Sequence, residues 1–117
     1  MTTITDRYLT AWNSTDPSER ARLLAEHWRD DATYTDPLVE VTGRDAIAAT
    51  MAAVQTQFPG FVFSLIGTPD THHRQTRFQW GLGPEGAEPP IVGFDVIVAD
   101  EDGRIQQVLG FLDRVPA

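Results

Sequence analysis

The sequence contains no cysteine and no lysine, and these absences exclude several kinds of chemistry. Without cysteine, the chain cannot form a disulfide, a thiolate nucleophile or a cysteine metal site. All nine basic residues are arginine, so a lysine Schiff base is impossible as well. The lack of cysteine fits a reducing compartment, and we expect a cytoplasmic protein.

Positive charge and long apolar runs are also scarce. The formal net charge of −8 repels phosphate backbones, so we expect no nucleic-acid partner. No apolar run approaches the roughly 18 residues that a membrane helix needs, and we expect no membrane partner. The start of the chain, Met1 to Arg7, has no basic region followed by an apolar stretch and does not read as a secretory signal.

The order of the predicted elements indicates an α+β fold. A chain of 117 residues fits a single domain over residues 1–117. Apolar spacing and capping signals predict helices over 5–13, 17–28 and about 45–57. Alternation and turn signals predict strands over 32–35, 39–42, 61–66, 74–82, 91–99 and 104–115. Helices followed by a meander of long antiparallel strands predict helices packed on one face of a curved sheet.

Several local signals set the predicted boundaries of these elements. Asp16 is a good N-cap, with Glu19 completing a capping box, and Asp45 is the expected cap of the third helix. The pair Asp30 and Asp31 is expected to end the second helix. Residues 67–70, Gly-Thr-Pro-Asp, are typical of a turn.

Three residues could carry acid–base chemistry. Asp95 lies in the middle of an apolar strand, where burial would raise its pKa and keep a proton on it; the alternative is an ion pair with an arginine. Asp36 precedes Pro37 at a strand end and could be a general base or an ordinary turn residue. Tyr8, on the inner face of the first helix, could donate to an oxyanion or simply pack in the core.

The histidines do not indicate a metal site. His72 and His73 are adjacent, so on a strand they would face opposite sides, and His27 has no zinc-like spacing to either. One of the pair, with His73 as the candidate, could still line a pocket or act as a base. Arg77 is expected to point outward into solvent.

The sequence resembles a known family at three stretches. These are Arg7-Tyr8-Leu9-Thr10-Ala11-Trp12-Asn13, Asp30-Asp31-Ala32-Thr33-Tyr34-Thr35-Asp36-Pro37 and Gly43-Arg44-Asp45-Ala46-Ile47. They resemble the first half of bacterial ketosteroid isomerases, within the nuclear transport factor 2-like superfamily that includes SnoaL-like polyketide cyclases. The resemblance implies a cone-shaped, mainly antiparallel sheet that encloses an apolar pocket together with three N-terminal helices.

The resemblance also implies roles for the three candidates. By analogy, Tyr8 and a protonated Asp95 form an oxyanion hole and Asp36 moves the proton. The ligand would be a small apolar carbonyl compound, and no cofactor or metal is expected. The expected pocket walls are Trp12, Trp28, Tyr34, Phe58, Phe61, His73, Trp80 and Phe111.

Other functions remain open from the sequence. The same enolate chemistry could serve an aldol-type polyketide cyclisation, and a non-catalytic ligand-binding or dimerisation module is also possible. The Asp-Arg-Asp pattern of limonene epoxide hydrolase-like proteins is not met, because Gln79 follows Arg77 two residues on.

A homodimer is expected through the sheet. Strand 91–99 is apolar on both faces, so if the Asp95 face lines the pocket, the opposite face needs a cover. The residues of that opposite face are Val92, Phe94, Val96 and Val98.

Overall fold

The computed structural model describes residues 2–116, which form three helices and one curved, six-stranded sheet. The elements are α1 (Ile4–Asn13), α2 (Pro17–His27), β1 (Trp28–Thr35), β2 (Glu40–Thr42), α3 (Arg44–Gln57), β3 (Phe61–His72), β4 (Gln75–Pro84), β5 (Ile91–Ala99) and β6 (Ile105–Arg114). The strand order is β2-β1-β6-β5-β4-β3. The predicted α+β fold class is therefore confirmed.

The sheet is a meander extended at one edge. Strands β3 to β6 pair antiparallel in sequence order. The eight-residue strand β1 pairs parallel to β6 and antiparallel to β2, so these two early strands extend the sheet beyond β6. This parallel pairing brings the end of β1, with Asp36 directly after it, beside the middle of β6.

The inner face of the sheet and the helices share one apolar core. Its largest fully buried side chains include Trp28, Tyr8, Leu24, Ile47 and Met51. Along β5 the burial alternates, because Asp95 and Ile97 are buried inside while Phe94 and Val96 are only half-buried on the outer face. Asp95 therefore faces inward, as its strand position predicted.

Two helix caps differ from the prediction. Asp16 does cap α2, its side chain accepting from the Ser18 amide at 3.1 Å, but Glu19 pairs with Arg22 instead of completing a capping box. The N-cap of α3 is Gly43, with φ of +96°, and no side chain caps that helix. The prediction of Asp45 as cap was wrong, because it already lies inside the first turn.

Two strand boundaries were also predicted wrongly. α2 ends at His27, and Asp30 and Asp31 lie within β1. Residues 67–70 do not form a turn, because β3 continues to His72 through a register shift between Ile66 and Asp70. The strand tolerates Pro69 because β3 is at the sheet edge, where one missing amide bond costs little.

The chain reverses at His73 and Arg74, directly after β3 ends at His72. His73 has a positive φ of 53°, and its Nδ1 lies 3.1 Å from that of His72. The prediction that the two rings face opposite sides was wrong, because the strand ends between them.

None of the helices within residues 2–116 is long and apolar enough to cross a membrane.

Candidate functional site

A cavity of about 380 Å³ opens between the helices and the inner face of the sheet. Its walls are mainly apolar, and its volume lies within the range of small-molecule sites. Eight of the eleven residues predicted for the site line it, namely Tyr8, Trp12, Tyr34, Asp36, Phe58, Trp80, Asp95 and Phe111.

The other three predicted residues do not line the cavity. Trp28 is fully buried and stacks on Tyr8 with ring centroids 5.7 Å apart, so it supports the site from the core. Phe61 stacks on Phe58 at 5.4 Å, outside the cavity lining. His73 is exposed at the β3–β4 turn, because the strand carries it to the end of the sheet.

The cavity also has walls that the sequence reasoning missed. These are Leu38, Val54, Gln57, Phe63, Leu82, Ile91, Leu112, Val115 and Pro116. Two of them carried a usable signal, since Leu82 and Ile91 alternate in phase with Trp80 and Asp95 on predicted strands. Leu38 carried none, because it lies in a turn and is 79% exposed at the cavity mouth.

Asp95 is the buried carboxyl of the cavity. It is 2% exposed, and the hydroxyl of Tyr8 donates to its Oδ2 at 2.6 Å. Burial raises the pKa of Asp95 to about 6, although the hydrogen bond from Tyr8 favours the charged form and limits the rise. Burial likewise raises the pKa of Tyr8 well above its usual range, so its phenol remains a donor.

Asp36 is held at the cavity by three hydrogen bonds. Its Oδ1 accepts from the amides of Leu38 at 2.8 Å and Val39 at 3.0 Å, and its Oδ2 accepts from the hydroxyl of Tyr34 at 2.7 Å. A carboxylate has about four acceptor positions, so one stays free. The turn after β1 therefore fixes the carboxylate without using up its capacity to accept a proton.

The two aspartates flank one point of the sheet, which sequence reasoning could not show. Gly110 pairs with Asp95 across β5 and β6. A Cβ built on Gly110 would lie 2.8 Å from Asp95 Oδ1 and 3.3 Å from Asp36 Cβ. The missing side chain of Gly110 thus leaves room for both carboxyl-bearing side chains at the same place.

Gly110→Ala is expected to disturb this arrangement. The added methyl group meets Asp95 Oδ1 at less than ordinary contact distance, and overpacking of this kind typically costs about 1–3 kcal/mol. Urea denaturation of the variant should show that loss of unfolding free energy. An unchanged midpoint would mean that the two carboxyl-bearing side chains are less confined than described.

The described chain contains no obvious metal centre. Over residues 2–116, no three histidine or acidic side chains approach closely enough to hold a metal ion. Arg77 is exposed and pairs with Asp70 at 3.4 Å, outside the cavity lining.

Comparison with known proteins gives one consistent family. The sequence model of the SnoaL-like domain matches residues 5–108. A structure from Agrobacterium tumefaciens, named a "putative isomerase of the SnoaL-like family", is 41% identical, with 94% of each chain covered and a TM-score of 0.89. No match was found among the curated proteins.

More distant structures share the fold alone. A "putative polyketide cyclase" from Sinorhizobium meliloti is 16% identical, covering 97% of this chain and 95% of that one, with a TM-score of 0.72. An NTF2-like protein of unknown function from Exiguobacterium is 21% identical, covering 95% and 98%, with a TM-score of 0.74.

Proposed function

Because the chain belongs to the SnoaL-like domain family, we propose that it transfers a proton next to the carbonyl group of a small apolar ketone. The observation that carries this proposal is the meeting of Asp36, Asp95 and Tyr8 at one apolar cavity. A base, an acid and a phenol donor are the groups that enolisation requires.

In the first step, Asp36 takes a proton from the carbon next to the carbonyl, and the electron pair of that C–H bond forms the enolate. The negative charge then develops on the carbonyl oxygen. Tyr8 and a neutral Asp95 donate hydrogen bonds to that oxygen. These bonds stabilise the charge strongly because the surrounding cavity is apolar. Asp36 returns the proton to another carbon, which completes an isomerisation without a cofactor.

The donor role of Asp95 depends on proton uptake. With a pKa of about 6, the carboxyl is mostly charged at pH 7 in the empty protein. A developing oxyanion beside it disfavours that charge and raises the pKa further. Asp95 therefore gains its proton as the oxyanion forms, and Tyr8 turns from Asp95 to the ligand oxygen.

The experiment that tests this proposal is the exchange of the carbon-bound proton in D2O. A β,γ-unsaturated ketosteroid and a smaller cyclic ketone serve as substrates, monitored by NMR and by the absorbance of the conjugated enone. Deuterium incorporation together with a shifted double bond supports the isomerase. Incorporation without any shift favours enolate chemistry with another acceptor, as in aldol cyclisation, and no incorporation favours a binding module.

We also propose that a second copy of the chain covers the outer face of the sheet. On that face the half-buried Phe94 and Val96 lie beside Leu109, which pairs with Val96 and is 36% exposed. The oppositely charged Arg77 and Asp70 lie near this apolar patch. Two copies related by a twofold axis could place the arginine of one against the aspartate of the other.

Leu109→Asp is expected to convert this dimer to a monomer, because a carboxylate would be buried in the apolar interface. Light scattering should then give the chain mass of 13.0 kDa. Ala21→Asp, exposed on α2 away from this face, is the control and should remain a dimer. A monomeric parent protein would refute the proposed interface.

A further inference from the structure

The cavity holds acidic groups that no cation of the chain balances. Two carboxyl groups line it, those of Asp36 and Asp95. The sequence has no lysine, and among residues 2–116 neither an arginine nor a histidine contributes to the lining. A carboxylate in an apolar site is normally paired with a cation or with several hydrogen-bond donors. The two carboxyl groups differ in how far the chain supplies such partners.

Asp36 has several donors, whereas Asp95 has one. Asp36 accepts three hydrogen bonds, from two backbone amides and from Tyr34, as a charged carboxylate does. Asp95 is 2% exposed and accepts at Oδ2 from Tyr8. Its Oδ1 lies beside the open position of Gly110, and no donor within residues 2–116 makes a hydrogen bond of ordinary geometry to it. Since buried polar atoms are nearly always paired, this oxygen of a cavity-lining residue calls for a donor from a ligand.

Aromatic rings continue from these carboxyl groups along the cavity. Tyr34, which donates to Asp36, contacts Trp12 with ring centroids 5.6 Å apart. Trp12 contacts Phe63 at 5.1 Å, and Phe63 contacts Trp80 at 5.2 Å. All four rings line the cavity. Aromatic rings attract an ammonium ion placed over their faces, tryptophan most strongly, so the walls beside the carboxyl groups also favour a cation.

We propose that the empty cavity binds small apolar amines in their protonated form, with the ammonium group at the end that holds Asp36 and Asp95 and the apolar body along the aromatic walls. The ammonium N–H groups supply the donor that Oδ1 of Asp95 lacks, and the positive charge balances the carboxylates. The amine occupies the space that a ketone would occupy, so the two compete. Such binding involves no proton transfer from carbon and does not depend on the proposed function.

The charge of Asp95 controls this binding. The groups that face it from the neighbouring elements are Tyr8 on α1, Tyr34 and Asp36 at the end of β1, Phe78 on β4 and Gly110 on β6. Both tyrosines remain neutral donors, because burial raises the pKa of each. With a pKa of about 6, roughly nine tenths of the Asp95 carboxyl groups are neutral at pH 5 and nearly all are charged at pH 7.5. The affinity for a cation should therefore rise over this range.

The test compares three ligands that share one ring system. 1-Naphthylmethylamine is the cation, 1-naphthylmethanol the neutral control and 1-naphthoate the anion, each titrated into the protein by isothermal calorimetry at constant ionic strength. At pH 7.5 the amine should bind at least about tenfold more tightly than the alcohol, and naphthoate should not bind measurably. At pH 5 the amine should lose about tenfold in affinity, following the charge of Asp95, while the alcohol changes little.

Two variants separate the cavity from general attraction to an acidic chain. Asp95→Asn should remove the pH dependence and most of the preference for the amine. Asp70→Asn, at an exposed carboxylate outside the cavity lining, should leave both unchanged.

The ligand series on the parent protein decides the outcome even where a variant fails to fold. An alcohol that binds as tightly as the amine, an amine affinity that does not fall at pH 5, or an equal loss of affinity in Asp70→Asn would overturn the proposal. No ketone is turned over in these titrations, so their result is separate from that of the exchange experiment in D2O.

Discussion

Asp36→Asn is expected to reduce the rate of ketone enolisation by about 10²- to 10⁴-fold, the contribution typical of a positioned base. The amide oxygen of asparagine can still accept from the Leu38 and Val39 amides, which hold the turn. The variant should therefore fold normally while lacking a group that can accept the proton.

Binding of a phenol that imitates the enolate should survive this change. Removal of the Asp36 charge reduces repulsion of a phenolate, so the affinity should stay the same or increase. Asp70→Asn, at an exposed carboxylate outside the cavity lining, is the matched control and should keep full activity. An Asp36→Asn variant with unchanged turnover would remove Asp36 from the mechanism, and loss of phenol binding as well would indicate a structural role.

Asp95→Asn is expected to change how stability depends on pH. Because the folded protein has a raised Asp95 pKa of about 6 against the ordinary 3.8, it binds this proton more tightly than the unfolded chain does. Stability from this group is fully present below pH 3.8 and is lost as the pH rises through 6. The two-unit difference corresponds to roughly 3 kcal/mol.

Asparagine does not titrate, so the Asp95→Asn variant does not lose stability in this way as the pH rises. The unfolding free energy of Asp95→Asn, relative to the parent protein, should therefore increase by roughly 2 kcal/mol between pH 4 and pH 7, which is most of the full difference. Urea denaturation at constant ionic strength measures this difference. The contributions of the other titrating groups to the pH dependence are nearly the same in both proteins and largely cancel. A difference that stays constant with pH would show that Asp95 is not held in a desolvated site.

The fold class could be predicted from the sequence because most helices and strands have a recognisable local sequence signal. Short stretches of sequence are enough to predict three such features. These are the apolar face of α1, the start of α2 at Asp16-Pro17 and the alternation of buried and exposed residues along β5. The predicted ends of elements were wrong where pairing with a distant part of the chain decides the structure. At Gly67, for example, the φ of +71° belongs to a bulge within β3 and not to a turn. A bulge and a turn use the same residue types.

The site could be predicted only as a set of residue types. Tyr8, Asp36 and Asp95 come from an early helix, a turn and a late strand, and their meeting depends on the parallel pairing of β1 with β6. Neither this pairing nor the room left by Gly110 has a local signature. The prediction that Trp28 and His73 line the cavity was wrong for a related reason. The direction of each side chain depends on where a helix or strand ends, and the sequence does not fix that position.

The central claim, that Tyr8 and Asp95 form an oxyanion site in an apolar cavity, is tested most directly by titrating the protein with an equilenin-like fluorescent phenol. Absorbance and fluorescence of the bound ligand report its ionisation. The account predicts tight binding of the phenol with its ionisation shifted, proton uptake by the protein above pH 6, and a clear change of both in Asp95→Asn. Absence of binding at high micromolar protein, or binding that Asp95→Asn leaves unchanged, would contradict it.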